Sequence, residues 1–256
     1  MPFLLWQSTW FGRPLTDEQI EKNLADREHP RKAQHALSQI ADRILSRDPA
    51  VRASARRWYP HVVALATQNV DELRLTAAWV MGQDNTVLEF HQALLRLLDD
   101  PQPMVRRNAA LALVRFGNPA GRSVILNMLE PYAVLAPHAG VLQQRLKVGD
   151  VVNPGTLLGR IQEGEQRTEI RSHVPGALEN WLARDGATVS AGQPTAELAP
   201  SPDVAWEALR ALYLVGQTED LPAIERYARG APAMPANVRQ QASLAARAIR
   251  SRSTPE

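Results

Sequence analysis

Two hydrophobic periods divide the chain. Over residues 30–131, and again from 201 onward, apolar residues recur three and four apart in stretches of ten or more, the spacing of amphipathic helices. Ala, Leu and Arg dominate there. Residues 132–200 read differently: they hold eight of the 14 glycines, at 140, 149, 155, 159, 164, 176, 186 and 192, with valines close behind. That is the punctuation of short strands and tight turns. The pattern predicts helices on both sides of a β-rich island.

The helical parts repeat one phrase: an aliphatic residue, often followed by Arg, with small residues four or five positions on. It begins at Val51-Arg52, Leu73-Arg74, Val105-Arg106, Val204 and Val238-Arg239. Leu73 and Val105 are 32 apart, and Val204 and Val238 are 34 apart, the spacing of helical-hairpin repeats. The 99-residue gap from Val105 to Val204 falls to 30 once the 69 island residues are removed. The island therefore interrupts a repeat array without changing its phase. In the clearest unit, Asp99-Asp100-Pro101-Gln102-Pro103 opens a helix and Gly117 closes it in the left-handed region. Second helices are predicted over about 85–98, 119–129 and 219–229. These residues resemble the HEAT-repeat family, in particular the short bacterial repeats related to phycobilin lyases. The resemblance covers roughly residues 30–130 and 203–250 and implies a stacked α-solenoid.

The island repeats itself internally. Gly149, Val152, Gly155 and Ile161 match Gly186, Val189, Gly192 and Leu198 at an offset of 37, and Gly140 matches Gly176 at 36. Two copies of one strand-turn unit are expected. The runs Ala136-Pro137-His138-Ala139-Gly140-Val141, Lys147-Val148-Gly149-Asp150-Val151-Val152 and Asp185 to Gln193 resemble the biotinyl/lipoyl family across 133–199. The resemblance implies a flattened barrel-sandwich hybrid of two interlocked halves, with its ends close together. In that family a lysine between two methionines at the tip of the central hairpin carries biotin or lipoate. Here the tip reads Gly164-Glu165-Gln166-Arg167, with Glu165 where the lysine should stand. A carboxylate cannot form the amide, so the resemblance implies the fold without the attached cofactor.

Composition narrows the chemistry. The 256 residues contain no cysteine, which removes disulfides, thiolate metal sites and cysteine nucleophiles. Of 29 cations only Lys22, Lys32 and Lys147 are lysines; against 27 acids the net charge is +2, which implies no polyanion partner. The six histidines, at 29, 35, 61, 91, 138 and 173, show no ligand spacing, and no metal site is expected. Ser46, Ser54, Ser123 and Ser243 lie in helical runs without a nucleophile-elbow pattern. Arg52, Arg56, Arg57, Arg106, Arg107 and Arg239 could align as a basic ridge; the favoured reading is that Arg52, Arg106 and Arg239 bond to acids such as Asp48 and Asp100 or to helix ends. Trp58, Trp79 and Trp206 are expected in the core. Trp181, in the second half of the island, is placed equally between burial and packing against the helices.

The N-terminus carries neither a signal peptide nor about 20 apolar residues, so a cytoplasmic bacterial protein is expected, membrane-anchored if the true start lies upstream of Met1. Thr16-Asp17-Glu18-Gln19 reads as a helix start with Thr16 or Asp17 as N-cap; Trp6, Trp10 and Phe11 before it are expected to pack down or to meet a partner.

The expected fold class is therefore α+β: an α-solenoid of HEAT-like hairpins interrupted by an all-β barrel-sandwich hybrid. Residues 1–29 form an N-terminal segment and capping helix, 30–131 the first part of the repeats, 132–200 the inserted β domain and 201–256 the second part. The expected function is a non-catalytic protein-interaction scaffold or adaptor, with no catalytic residue, cofactor or metal. Candidate partner contacts are Gly164, Glu165, Gln166, Arg167 and Trp181. The partner is expected to be protein rather than nucleic acid or membrane. The alternative is a cofactor-handling enzyme or accessory related to phycobilin lyases.

Overall fold

The computed structural model describes residues 14–26 and 28–253. Trp6, Trp10 and Phe11 lie outside the described residues. The chain divides at Asn118/Pro119 into two compact units, taken here one at a time.

The first unit is helical: α1 (Asp17–Ala25), α2 (Pro30–Ile44), α3 (Pro49–Ala55), α4 (Tyr59–Leu65), α5 (Asp71–Met81), α6 (Leu88–Leu97) and α7 (Pro103–Arg115). Local chemistry sets the boundaries. Thr16, not Asp17, caps α1: its Oγ1 accepts the Gln19 N–H at 3.3 Å, while the Gln19 side chain accepts the Thr16 N–H at 3.0 Å. Pro30, Pro49 and Pro103 each open a helix, where the missing N–H costs nothing. Gly117, at φ +68°, reverses the chain after α7, and the Gly117 and Asn118 N–H groups donate to the Val114 and Leu113 carbonyls.

Helices α2, α5 and α7 stack in turn, and α4 stacks on α6, so the hairpins form two layers around one core that includes Leu37, Ile40, Met81, Phe90, Leu94 and Leu113. The Val51-Arg52 phrase falls on α3, a short helix that packs on α2, rather than on a member of the α2, α5 and α7 stack that carries Leu73 and Val105. Its role explains why. Arg52, Arg74 and Arg106 each donate to a backbone carbonyl six residues earlier, those of Ser46, Gln68 and Asp100, at 3.3, 2.9 and 2.6 Å. The phrase marks the start of a helix after a tight loop, whichever layer that helix joins.

Arg74 does more. Its Nε and Nη2 donate to the two carboxylate oxygens of Asp100 at 2.6 and 3.0 Å, and Nη2 also reaches Asp71 at 2.8 Å. The Arg74 and Asp100 side chains are only 9% and 5% exposed, so the pair ties the start of α5 to the loop before α7 in a low-dielectric setting. Asp100 further accepts the Gln102 N–H at 2.9 Å. Burial alone would raise the Asp100 carboxyl, but the Arg74 and Gln102 hydrogen bonds outweigh it and hold the group below the usual carboxylate range.

The second unit contains α8 (Arg122–Asn127), eight strands, α9 (Pro202–Val215), α10 (Leu221–Gly230) and α11 (Ala236–Ser253). The strands are β1 (Tyr132–Leu135), β2 (Gly140–Gln144), β3 (Val151–Val152), β4 (Leu157–Glu163), β5 (Gln166–Arg171), β6 (Gly176–Trp181), β7 (Thr188–Val189) and β8 (Pro194–Ala199). They form two antiparallel four-stranded sheets, in the orders β1-β8-β6-β3 and β5-β4-β2-β7. Exchanging β1–β4 with β5–β8 turns one order into the other, so the internal sequence repeat is a repeat of topology. The overall class is α+β.

The buried positions obey the same exchange: Val134 and Ile170, Leu142 and Leu178, Val152 and Val189, and Ile161 and Leu198 are all at most 4% exposed. So do two glycines. A Cβ on Gly140 would lie 2.6 Å from the Gln162 carbonyl oxygen, and one on Gly176 would lie 2.3 Å from that of Ala199. No side chain fits at either crossing.

Tyr132 at the start of β1 pairs with Leu198 near the end of β8, so the chain enters and leaves the β region at one place. Around that place α8 packs on α9, and α9 and α10 pack on α11. Arg226 reaches back to Glu130 at 2.9 Å and to the Leu129 carbonyl at 2.7 Å; the buried Tyr227 hydroxyl also donates to that carbonyl at 2.7 Å. Second helices are shorter than the sequence pattern predicts, because 3₁₀ turns at Pro119–Gly121 and Thr218–Asp220 occupy their first residues.

Two outcomes follow. Asp100→Asn removes one of the two carboxylates on Arg74 and leaves Asp71 and the Gln68 carbonyl, so urea unfolding should show a loss of about 1.5–3 kcal/mol. In the parent, the contribution of Asp100 is present above its unfolded value near pH 4 and is lost as pH falls through its depressed folded value. The variant should lose that part of the acid dependence. Replacing residues 132–200 by a short Gly/Ser linker should leave the helical circular dichroism and a cooperative transition; loss of the helical signal would show that α8 and α9 need the sheets between them.

Candidate functional site

The hairpin of β4 and β5 pairs from Leu157 with Arg171 to Glu163 with Gln166, leaving Gly164 and Glu165 as a two-residue turn. Gly164 sits at φ +58°, the first central position with positive φ in a tight hairpin, and has nothing within 4 Å of where a Cβ would be. All four residues Gly164 to Arg167 are exposed. Arg167 Nε donates to Gln162 Oε1 at 2.8 Å, and Gln162 Nε2 donates to the Gly164 carbonyl at 2.6 Å, so Arg167 is tied to β4. Glu165 has no hydrogen bond or ion pair among the described residues and is the free charge at the tip. Further along, Arg171 and Arg160 flank Glu169 at 2.6 and 3.5 Å, and the Arg171 hydrogen bonds hold the Glu169 carboxyl below its ordinary value.

Trp181 stands apart from this tip. Its Nε1 donates to the Leu146 carbonyl at 3.1 Å, and its ring lies over Gly159, where a Cβ would sit 3.4 Å from Cη2. Gly159 is five residues before Gly164 on the same strand, about 17 Å along it. The structure therefore gathers Gly164, Glu165, Gln166 and Arg167 at one end and puts Trp181 elsewhere, half-buried with its hydrogen bond inside the β region. Lys147 lies in the exposed turn before β3, where its N–H donates to Asp150 at 2.8 Å.

The basic ridge does not form in the first unit. Arg57 and Arg43 both bond to Asp17, at 2.7 and 2.6 Å, and their guanidinium groups lie 4.5 and 4.7 Å from the ring of buried Trp58. Arg52 and Arg106 bind backbone carbonyls rather than the Asp48 and Asp100 carboxylates, and Arg107 is buried. The histidines are equally dispersed: His29 pairs with Asp26 at 3.0 Å, His91 meets Asn118 at 2.7 Å, and His138 lies 3.6 Å from Glu163. Among the described residues no three His, Cys, Asp or Glu side chains converge as a metal-ligand set.

Trp206 corrects the sequence reading. It is 36% exposed, with the Arg210 guanidinium stacked 4.8 Å from its ring and the exposed Tyr213 and Leu214 further along α9. The buried stripe of α9 is Ala205, Ala208, Leu209 and Leu212, and Trp206 falls beside it. Spacing counted from Ala205 rather than from the tryptophan would have revealed this.

No helix among the described residues is long and apolar enough to cross a membrane. Comparison with curated proteins gives no match. Residues 59–136 match the family model of HEAT repeats, which commonly mediate protein–protein interaction.

Proposed function

We propose that the protein is a non-catalytic adaptor, in which HEAT-like hairpins and an inserted, unmodified biotinyl/lipoyl-like barrel offer separate surfaces to protein partners. The division is the one expected from sequence: repeats over 30–131 and 201–256, barrel over 132–200. The observation that carries the reading is the β4/β5 turn, which projects Glu165 on a two-residue loop inside a two-fold-repeated pair of four-stranded sheets. A swinging-arm carrier needs an acylatable amine at such a tip. Gly164-Glu165-Gln166-Arg167 supplies a carboxylate, an amide and a guanidinium instead. The use of Arg52, Arg74, Arg106, Arg43 and Arg57 as structural ties also supports a scaffold, since these charges hold loops and helices rather than converge on a cleft.

Mass measurement of the peptides covering residues 132–200 in protein from its own host is expected to show no biotin or lipoate increment. An increment mapped to residues near the tip would overturn the unmodified barrel. Conversely, Glu165→Lys combined with Gly164→Met and Gln166→Met should become a substrate for a biotin or lipoyl ligase while the parent does not. A triple variant that stays folded and unmodified would remove the barrel likeness. For the adaptor role, photo-crosslinking side chains at Glu165 and at exposed Leu88 on α6 should each yield a discrete protein adduct in host cells. Absence of an adduct at both positions would sink it.

A further inference from the structure

The charge of this chain is concentrated where the sequence total hides it. Residues 221–253, which make α10, its loop and α11, carry six arginines against the single acid Glu225, a net +5 in a chain of net +2. The rest of the chain therefore sums to −3. The two helices run antiparallel: Glu225 of α10 meets Arg250 near the end of α11, and Gly230 lies beside Arg239 near its start. Between them is an open groove of about 350 Å³, where Ala228 and Ala246 are too small to fill the space and Arg229, Arg247 and Arg250 line it with Glu225.

The arginines of this hairpin divide by what they already do. Arg252 donates to the Tyr213 and Gly216 carbonyls at 2.7 and 2.9 Å, closing the end of α9, and Arg226 is held by Glu130 and Leu129. Those are structural. In the groove, Arg250 pairs with Glu225, and Arg229 approaches the same carboxylate at 3.6 Å. One negative charge thus orients two guanidinium groups without neutralising both. Arg247 has no hydrogen bond or ion pair among the described residues and points its charge into the same opening. The groove presents two uncompensated positive charges on planar, multi-donor groups suited to bidentate carboxylate binding.

We propose that the α10/α11 groove docks an acidic segment of a protein partner, seating two carboxylates on Arg229 and Arg247. The partner's being a protein rests on the adaptor reading above; the site itself rests on the groove and its charges. A nucleic acid is the poorer fit, since it needs a long track of phosphate contacts. This track is one short helical hairpin, with Glu225 inside it, in a unit whose residues 119–220 sum to −4. A short acidic stretch meets the local field without meeting the repulsion.

The test uses the full chain and a fluorescent peptide with glutamates four positions apart, read by anisotropy at low and moderate salt. The expected result is saturable binding that weakens with ionic strength. Arg247→Ala should weaken it about tenfold, and Arg229→Ala should do so to a similar degree. Glu225→Gln, which removes a negative charge from the groove lining, should tighten it, a change that a merely structural role for these residues would not produce. Circular dichroism checks that each variant is folded. Equal binding of a peptide with glutamine in place of glutamate would overturn the proposal, as would an Arg229→Ala/Arg247→Ala variant that binds like the parent. Tighter binding of a single-stranded oligonucleotide, lost in the same double variant, would reassign the groove to nucleic acid and overturn it too. Crosslinks from Leu88 and Glu165 that persist in the double variant, with no peptide binding to the parent, would leave the adaptor reading standing and remove the groove alone.

Discussion

A tight loop between two helices leaves its own carbonyls without helical partners, and in a stacked array the next helix must start within a few residues. Arginine resolves this conflict in the first unit. Its side chain is long enough to fold back over the loop, and its several donors can cap a carbonyl and still bind something else. Arg52 and Arg106 do the first job. Arg74 does both, capping Gln68 while gripping Asp100 from another repeat. That buried ion pair converts a local solution into one that fixes the spacing of successive hairpins. Lysine, with a single ammonium, could not bind the carbonyl and both carboxylate oxygens in that geometry.

In the β region the governing constraint is steric. Two sheets that interlock by exchanging equivalent strands must cross closely at equivalent points, and Gly140 and Gly176 occupy them. The hydrophobic positions follow at nearly the same offset because each half builds the other's core: Ile161 and Leu198 lie on strands of opposite sheets. The hairpin tip is free of these demands, with an exposed glycine and an unpaired Glu165, and is therefore the place where the sequence can change without disturbing the sheets.

How much could be read in advance depended on whether a feature is local or averaged. Helix starts at Pro30, Thr16 and Pro103 and the strand repeat at an offset of 36 to 37 are local, and the periodic pattern located them. The Arg74 and Asp100 pair joins residues 26 apart, and only the arrangement of neighbouring loops tells which arginine finds which acid. Local spacing pointed to Arg106, which instead takes the Asp100 carbonyl. Trp206 is exposed because its angle on α9 falls beside the stripe of Ala205 and Leu209, and the size of a tryptophan in a helical run carries no information about that angle. Of the candidate contacts, Gly164 to Arg167 were found as a turn because the repeat frames them, whereas the separation of Trp181 from that turn needs strand register. The arginine groove was hidden by summing charge over the whole chain.

The pairing of Tyr132 with Leu198 has a kinetic meaning. Asn127 at the end of α8 and Pro202 at the start of α9 are separated by some seventy residues of chain. In an unfolded polypeptide that separation would make their encounter slow and entropically costly. Once the sheets form, the first and last strands lie hydrogen-bonded side by side, and the two helices are joined by a connection only a few residues long. The β1–β8 ladder and the α8–α9 contact therefore close the same long loop, so its entropic cost is met once for both. Contacts that are long-range along the chain become near neighbours once that loop is closed, and the β region between α8 and α9 adds no second closure cost.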